Sequence, residues 1–512
     1  MNRTLLALWG VASLLLTTGA AAQEAGKTSL TIYSTAESGA VPPEVYRPVS
    51  GSPGYQSFQA SNLPGYATVR QERELAIDKG RSTLRFTDVA ALIDPTTVSF
   101  ASLSDAAGTR VIEQNFQFDL VSNDRLLQRF IDKPIRVEQA HGDTLATISG
   151  TLLSTSGGLI LRDEQGGVQI LNGYSGVKLP ELPGGLITRP TLVWDVVSDK
   201  GGTQRVRVSY ETGGMTWWAD YNLTFAEGKD ANSGTLDIGA WVSIINQSGS
   251  GYADAGLKLV AGKLHRVPRQ VSSMARMKGS AVMAMEADMS GFQEKGFFEY
   301  HLYTLGRPTT LPDNSTKQIE LFPTVRGVPC DKVLVYYGSA AGFPYLSDPI
   351  TDRQLGPPGS KEVDIYLRFK NRKEDGLGMP LPGGRIRASK LDKDDGSLEL
   401  IGEDSIGHTP KDETVLIKLG TAFDVVGERT QTDFQLDSAR RTIEEEVEIK
   451  VRNHKDAAVT VIVKENLFRW STWEIVHKSH DFEKVDARTI HFPVQVPKDG
   501  EVMVKYRVRY TW

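Results

Sequence analysis

Val502, Val504, Tyr506, Val508, Tyr510 and Trp512 alternate with Met503, Lys505, Arg507, Arg509 and Thr511 at the end of the chain. A period of two over eleven residues is a β-strand with one apolar and one mostly cationic face. A helix would scatter those valines and tyrosines around its circumference. The same alternation, or short apolar runs between turn residues, recurs along most of the 512 residues, at 192–197, 205–210, 234–245, 333–337, 441–453 and 459–465. Forty-nine glycines and 24 prolines supply the turns. The expected fold class is therefore all-β and multidomain: β-sandwich units of immunoglobulin-like type, with a small SH3- or Sm-like barrel.

Two architectures accept a closing strand of this kind. In an outer-membrane barrel, one face meets lipid and the other a polar lumen in every strand. In a sandwich, one face meets the core. Val333-Leu-Val-Tyr-Tyr337 and Val459-Thr-Val-Ile-Val463 are apolar or nearly so on both faces, as in strands buried inside a globular domain. The sandwich is the leading reading and the barrel, or a barrel-associated protein, the alternative. In the sandwich, Tyr506, Tyr510 and Trp512 point inward, and Lys505, Arg507 and Arg509 form an exposed basic row that could meet an acidic partner.

The other end reads as an export signal. Arg3 precedes an apolar stretch over residues 5–16, and Ala20 and Ala22 supply the small residues of a cleavage site, so the mature chain is expected to begin near Gln23. The apolar run is shorter than the ~20 residues of a spanning helix. The expected location is periplasmic or secreted, with no integral membrane segment after signal removal. The divisions read from the sequence are 1–22 (signal peptide), 23–121 (an N-terminal β domain with a Pro/Gly-rich loop), 122–185 (the small barrel and a linker), 186–430 (a central β domain) and 431–512 (the immunoglobulin-like sandwich). Asn123-Asp124 is expected to cap a short helix over 125–131, and Val137, Ile148, Leu152, Ile160 and Ile170 to form the core of the small barrel.

Net charge is −5 with both signs interspersed, which argues against a nucleic-acid partner. The lone cysteine, Cys330, has no partner for an internal disulfide and reads as a small buried hydrophobe. Sequence signatures of catalysis are missing: there is no G-x-S-x-G elbow, no H-E-x-x-H and no Walker loop. A hydrolase built on paired carboxylates remains a third reading. Nothing in the sequence calls for a cofactor.

Four features could carry binding. Residues 274–289, from Met274 to Met289, hold five of the nine methionines. Thioethers suit Cu(I), but the tract contains no His or Cys and reads as a loop. His477, His480 and His491 with Asp481 lie in strand and turn, where the spacing does not converge on one ion. Asp392-Lys-Asp-Asp-Gly396 has its glycine fifth rather than sixth for a calcium loop and reads as a hairpin turn. Trp217, Trp218 and Tyr221, with Trp470 and Trp473, are the aromatic concentrations. Exposed, they would make a platform for sugar rings or a partner's apolar surface; buried, they are sandwich core.

Pro190-Thr-Leu-Val-Trp194, Val208-Ser-Tyr-Glu-Thr-Gly-Gly-Met-Thr-Trp-Trp-Ala-Asp-Tyr-Asn-Leu223, Ala240-Trp-Val-Ser-Ile-Ile-Asn-Gln-Ser-Gly249, Gly383-Gly-Arg-Ile-Arg387 and the closing strand occur in this order. Residues 190–512 thereby resemble the bacterial domain of unknown function forty-one thirty-nine, shared with the C-terminal half of mucoidy-inhibitor-A-like proteins. Those proteins carry a central coiled coil, and this chain shows no heptads. The resemblance implies the β fold but no reaction or substrate. The functional expectation is a non-enzymatic binding or scaffold protein of the cell envelope, whose partner is another envelope protein or a polysaccharide.

Overall fold

The computed structural model of the chain describes residues 26–34, 41, 45, 62–117, 122–141, 144–181, 187–262, 291–338, 348–354 and 360–512. It is 66% strand and 3% helix, an all-β fold of several sheets. No helix among the described residues is long and apolar enough to cross a membrane. The signal segment and Met274 to Met289 lie outside the described residues.

The first strand, β1 (Thr28–Tyr33), buries Leu30 and Ile32 and runs antiparallel to β2 (Tyr66–Ile77). A turn leads to β3 (Gly80–Thr87), followed by β4 (Ile93–Ser102) and β5 (Thr109–Gln117). Helix α1 (Asn123–Arg129) comes next. Its cap is Ser122, whose hydroxyl accepts the Arg125 N–H at 3.3 Å, one residue earlier than the sequence suggests. Then β6 (Pro134–His141), β7 (Thr144–Ser154), β8 (Leu159–Arg162), β9 (Val168–Leu171) and β10 (Gly176–Lys178) form a sheet in the order β10-β6-β7-β8-β9. Its two ends do not pair, so the expected closed barrel is an open five-stranded sheet with α1 against it.

Strand β11 (Thr191–Ser198) then pairs with β3 on one side and β5 on the other. Residues 122–181 are therefore an insertion between two paired strands. Beyond them, β12 (Gly202–Thr212) fills the place between β2 and β4, and the hairpin β13 (Met215–Glu227) and β14 (Ser233–Asn246) leads to β15 (Tyr252–Ala261), which lies parallel to β1. β16 (Phe292–Phe297), β17 (Tyr300–Leu305) and β18 (Thr309–Leu311) join β15, β1, β2, β12 and β4 in an eight-stranded sheet, whereas β13 and β14 belong to the larger sheet that follows. The three-stranded sheet β3-β11-β5 packs on it. Trp194 of β11 lies 5.5 Å from Phe86 of β3 and 5.2 Å from Phe100 of β4, joining the layers.

The rest, together with β13 and β14, is one thirteen-stranded sheet built on two long strands. They are β19 (Ser315–Tyr337), followed by β20 (Glu362–Lys370), β21 (Gly384–Leu391) and β22 (Leu398–Ile406), and β23 (Thr414–Asp437), followed by β24 (Thr442–Asn453), β25 (Val459–Asn466), β26 (Trp473–Lys478), β27 (Glu483–Lys484), β28 (Thr489–Val496) and β29 (Gly500–Thr511). The first half of β23 pairs with β20 and its second half with β24. Residue 430 therefore falls inside a continuous strand, and the two halves of the sheet share their backbone rather than a linker. Around the first halves, the core is continuous with that of the N-terminal sheets. Around the second halves, β24 and β29 face β25 and β28 over a separate core of Val447, Ile449, Val461, Val463, Phe492, Tyr506 and Val508.

On β29, Val504, Tyr506, Val508 and Tyr510 are buried and Trp512 packs at the edge of the same core, as the alternation requires. The outward row is not a free basic surface. Register sets Arg509 opposite Glu444, Arg507 opposite Glu446 and Lys505 opposite Glu448 of β24, and all three pairs form ion pairs. Arg507 also reaches Asp433 at 3.0 Å, and Arg509 reaches Glu474 at 2.9 Å. The expected acidic partner is already present in the next strand.

In the small sheet, Val137 and Leu152 are buried and Ile148 packs against them, but Ile170 is 63% exposed and Ile160 only part-buried. Leu159, Leu161 and Leu171 fill the core instead. The pairing of β7 with β8 shifts at Leu152/Ser154, a bulge. The extra residue lies in β7, so β8 keeps its own alternation: Leu161 and Leu159 share the inward face of Leu152, while Ile160 and Ile170, opposite each other, share the outward one.

Candidate functional site

The aromatic concentrations do not form an open platform. Trp217 is buried, donates its Nε1–H to the carbonyl of Ile32 at 3.2 Å and meets Tyr303 edge-on at 6.2 Å. Tyr221 is buried and its hydroxyl donates to the Pro382 carbonyl at 2.8 Å; loss of solvation raises its pKa well above the ordinary tyrosine value. Trp218, on the opposite face of β13, packs against Val41, Val45, Leu63 and Ile245. Trp470 and Trp473 lie half-buried beside the second core, with the Trp473 Nε1–H on the Ala487 carbonyl at 2.8 Å. The exposed indole among the described residues is Trp241 on β14.

The histidines and the aspartate loop are also separate local features. His480 bonds Ser479, Asp481 pairs with Lys478 at 2.6 Å, and no group of three metal-ligating side chains converges among the described residues. Asp392 and Asp395 accept the N–H groups of Asp394 and Ser397, and Gly396 takes φ of +77°, so this segment is the hairpin turn joining β21 to β22. Cys330 is buried on β19, and burial pushes its thiol up to about 12, where it stays protonated.

Among the described residues, His491 on β28 is the histidine with a shifted pKa. Desolvation holds it below the usual value, and Lys464 opposite it on β25 adds to that, against smaller pulls from Glu483 and Asp486. The unfolded chain takes up a proton near pH 6.5 that folded His491 resists. Stability should therefore fall as pH drops below about 6.5. His491→Gln should flatten that part of the profile; equal slopes for both proteins in urea unfolding between pH 7.5 and 5.5 would rule the assignment out.

The second sandwich contains a buried ionic cluster that spans its two layers. Glu465 on β25 accepts from Arg429 Nε of β23 at 3.1 Å and from the Tyr506 hydroxyl of β29. Glu445 on β24 accepts from Arg469 Nε at 2.8 Å, Gln431 at 3.0 Å and the Tyr510 hydroxyl at 3.1 Å. Burial alone would lower the pKa of Arg429, but the charges of Glu465, Tyr506 and Glu445 outweigh it and hold the guanidinium above its ordinary value. Desolvation, then Glu465, pushes Tyr506 far up. Each carboxylate is thus tied to an arginine and a tyrosine. That arrangement ties the two layers of the sandwich together.

The opening suited to binding lies elsewhere, where β16 and β17 approach β19 and the loop that follows β20. A cleft of about 770 Å³ is lined there mainly by apolar residues, among them Phe292, Leu305, Ile319, Leu321, Leu377 and Met379, with Arg307, Glu320, Thr324 and Asn371 as polar groups. Its size and lining are those of a binding cleft. The floor is rigid because Ile319 and Leu321 are inward residues of the long β19. Asn371 is fully buried and spends its amide on the carbonyls of Met379 and Pro410, at 2.8 and 3.0 Å, which fixes the loop over the cleft. Arg307 is exposed and forms no ion pair among the described residues. None of these residues stands out in the sequence, because the cleft joins three separate segments, within 291–307, 319–325 and 371–381. Comparison with protein families, with curated proteins and with solved structures finds no match to this chain.

Proposed function

We propose that the chain is a non-enzymatic binding protein exported to the cell envelope, in the group that carries the domain of unknown function forty-one thirty-nine. Its cleft beside β16 takes an extended segment of a partner protein. One observation supports this reading above the others: the apolar cleft lies against a free sheet edge. Strand β16 ends the eight-stranded sheet and pairs only with β17 among the described residues, and Phe292 at its start lines the cleft. A strand edge offers unpaired backbone donors and acceptors, and an adjoining apolar cleft accepts alternate side chains of the added strand. The lining is aliphatic and aromatic rather than hydroxyl-rich, which suits a polypeptide better than a sugar chain in this place.

A photo-reactive amino acid at position 379, expressed in intact cells, should capture a discrete polypeptide. Leu377→Asp should abolish that adduct with little change in thermal midpoint, because Leu377 is only half-buried. The reading fails if position 379 captures no polypeptide, or if Leu377→Asp leaves the adduct intact. N-terminal sequencing of the same purified protein should begin near Gln23.

A further inference from the structure

The inserted five-stranded sheet presents a second, chemically different groove. Strand register places Lys178 of β10 beside Arg136 of β6, Arg136 beside Ser149 of β7, and Thr151 of β7 beside Arg162 of β8. Side chains two apart on one strand share a face, so these groups form a row across the outer surface of the sheet. They line an open groove of about 540 Å³ with Asp163, Glu164 and Pro180.

The charges in this groove are unequally occupied. Lys178 is paired with Glu138 at 2.5 Å. The Asp163 carboxylate accepts the N–H groups of Gln165 and Gly167 at 2.9 and 2.7 Å, closing its own turn. Arg136 and Arg162 are exposed and have no ion-pair or hydrogen-bond partner among the described residues. Two strand spacings and a two-residue offset put their Cα atoms about 12 Å apart, with the Ser149 and Thr151 hydroxyls between them. On β29, by contrast, Arg507 and Arg509 are consumed by neighbouring carboxylates. Here two forked donors are left free on rigid strands.

We infer that this face binds an anionic polysaccharide. Each guanidinium would take a carboxylate or phosphate through paired N–H bonds, while the two hydroxyls meet sugar hydroxyls between the charges. A nucleic acid is the poorer fit, because no aromatic ring lines the groove to stack a base. The site is independent of the cleft at β16, so either can be present without the other.

The test uses the full-length chain, titrated at low ionic strength with polygalacturonate, poly(glycerol phosphate), neutral dextran and a single-stranded DNA oligonucleotide. The expected result is binding to at least one of the two anionic polymers, weakening with added salt, with no binding to dextran. Polygalacturonate or poly(glycerol phosphate) as the preferred polymer identifies carboxylate or phosphate as the recognised group. Arg136→Ala with Arg162→Ala should reduce affinity at least tenfold without moving the thermal midpoint, whereas Arg110→Ala, an exposed arginine on another sheet, should leave it unchanged. Failure to bind either polymer, an unaffected double variant, equal binding of dextran, or tighter binding of DNA would each overturn the assignment.

Discussion

Arg469→Met should lower the stability of the second sandwich by about 3–5 kcal/mol, the usual cost of stripping a buried charge of its partner. The Arg469 side chain is fully buried and its Nε–H holds Glu445 at 2.8 Å. Methionine keeps much of the stem's volume but leaves Glu445 with only Gln431 and Tyr510 as donors. The substitution also removes the two Nη1 bonds to the carbonyls of Ile350 and Asp352, at 3.0 and 2.8 Å. Cleavage by added protease near 348–354 should therefore rise as well. Adding Glu445→Leu should recover a large part of the loss, since replacing both members of a buried pair by apolar groups is far milder than removing one. Arg509→Ala, in the exposed ladder, should cost far less than Arg469→Met because water screens that pair. Chemical unfolding of the four proteins measures the stabilities, and limited proteolysis the exposure near 348–354. An Arg469→Met protein within 1 kcal/mol of the parent, or a double variant no better than the single, would mean the cluster contributes little.

The contrast between these two arginines shows what is legible in the sequence. Period-two patterning gives the all-β class and the inward face of β29, because the core reads every second residue. The same rule applied to β24 sets Glu445 on the face of Ile443, Val447 and Ile449, so an inward carboxylate is visible within Glu444-Glu445-Glu446, a run that otherwise reads as solvated. Its partner is not visible. Arg469 follows β25 outside any strand, and only the chain path brings it to Glu445. A short run that is apolar on both faces leaves parity undecided, which is why Leu159-Ile160-Leu161 does not reveal that its leucines face the core with Leu171 while Ile160 and Ile170 turn away. Long-range strand order is hidden for a related reason. Residues 122–181 interrupt the β5–β11 pair, and local pattern does not tell which earlier strand a later one will join.

The aromatic cluster supplies the other large effect, and it decides between platform and core. Trp217→Ala should destabilise the protein by about 3–5 kcal/mol, the range for emptying a large aromatic site in a packed interior. Trp217 sits where β13 meets β1. It fills space beside Tyr303 of β17, and its indole N–H satisfies the Ile32 carbonyl of β1. Alanine would leave that carbonyl without its donor and a cavity between the eight-stranded sheet and β13, too far inside for neighbours to collapse onto it. Trp217→Phe should recover most of the packing but not the hydrogen bond, and so should cost about 1–3 kcal/mol. Trp218→Ala tests the opposite face of the same strand. Its indole is half-buried against a small cluster, so its loss should be clearly the smaller of the two alanine effects. Were Trp217 instead a binding surface, its removal would leave the unfolding midpoint alone and weaken ligand capture. A shifted midpoint for Trp217→Ala with a lesser shift for Trp218→Ala assigns the pair to the core, and leaves recognition to the cleft at β16 and the groove of Arg136 and Arg162.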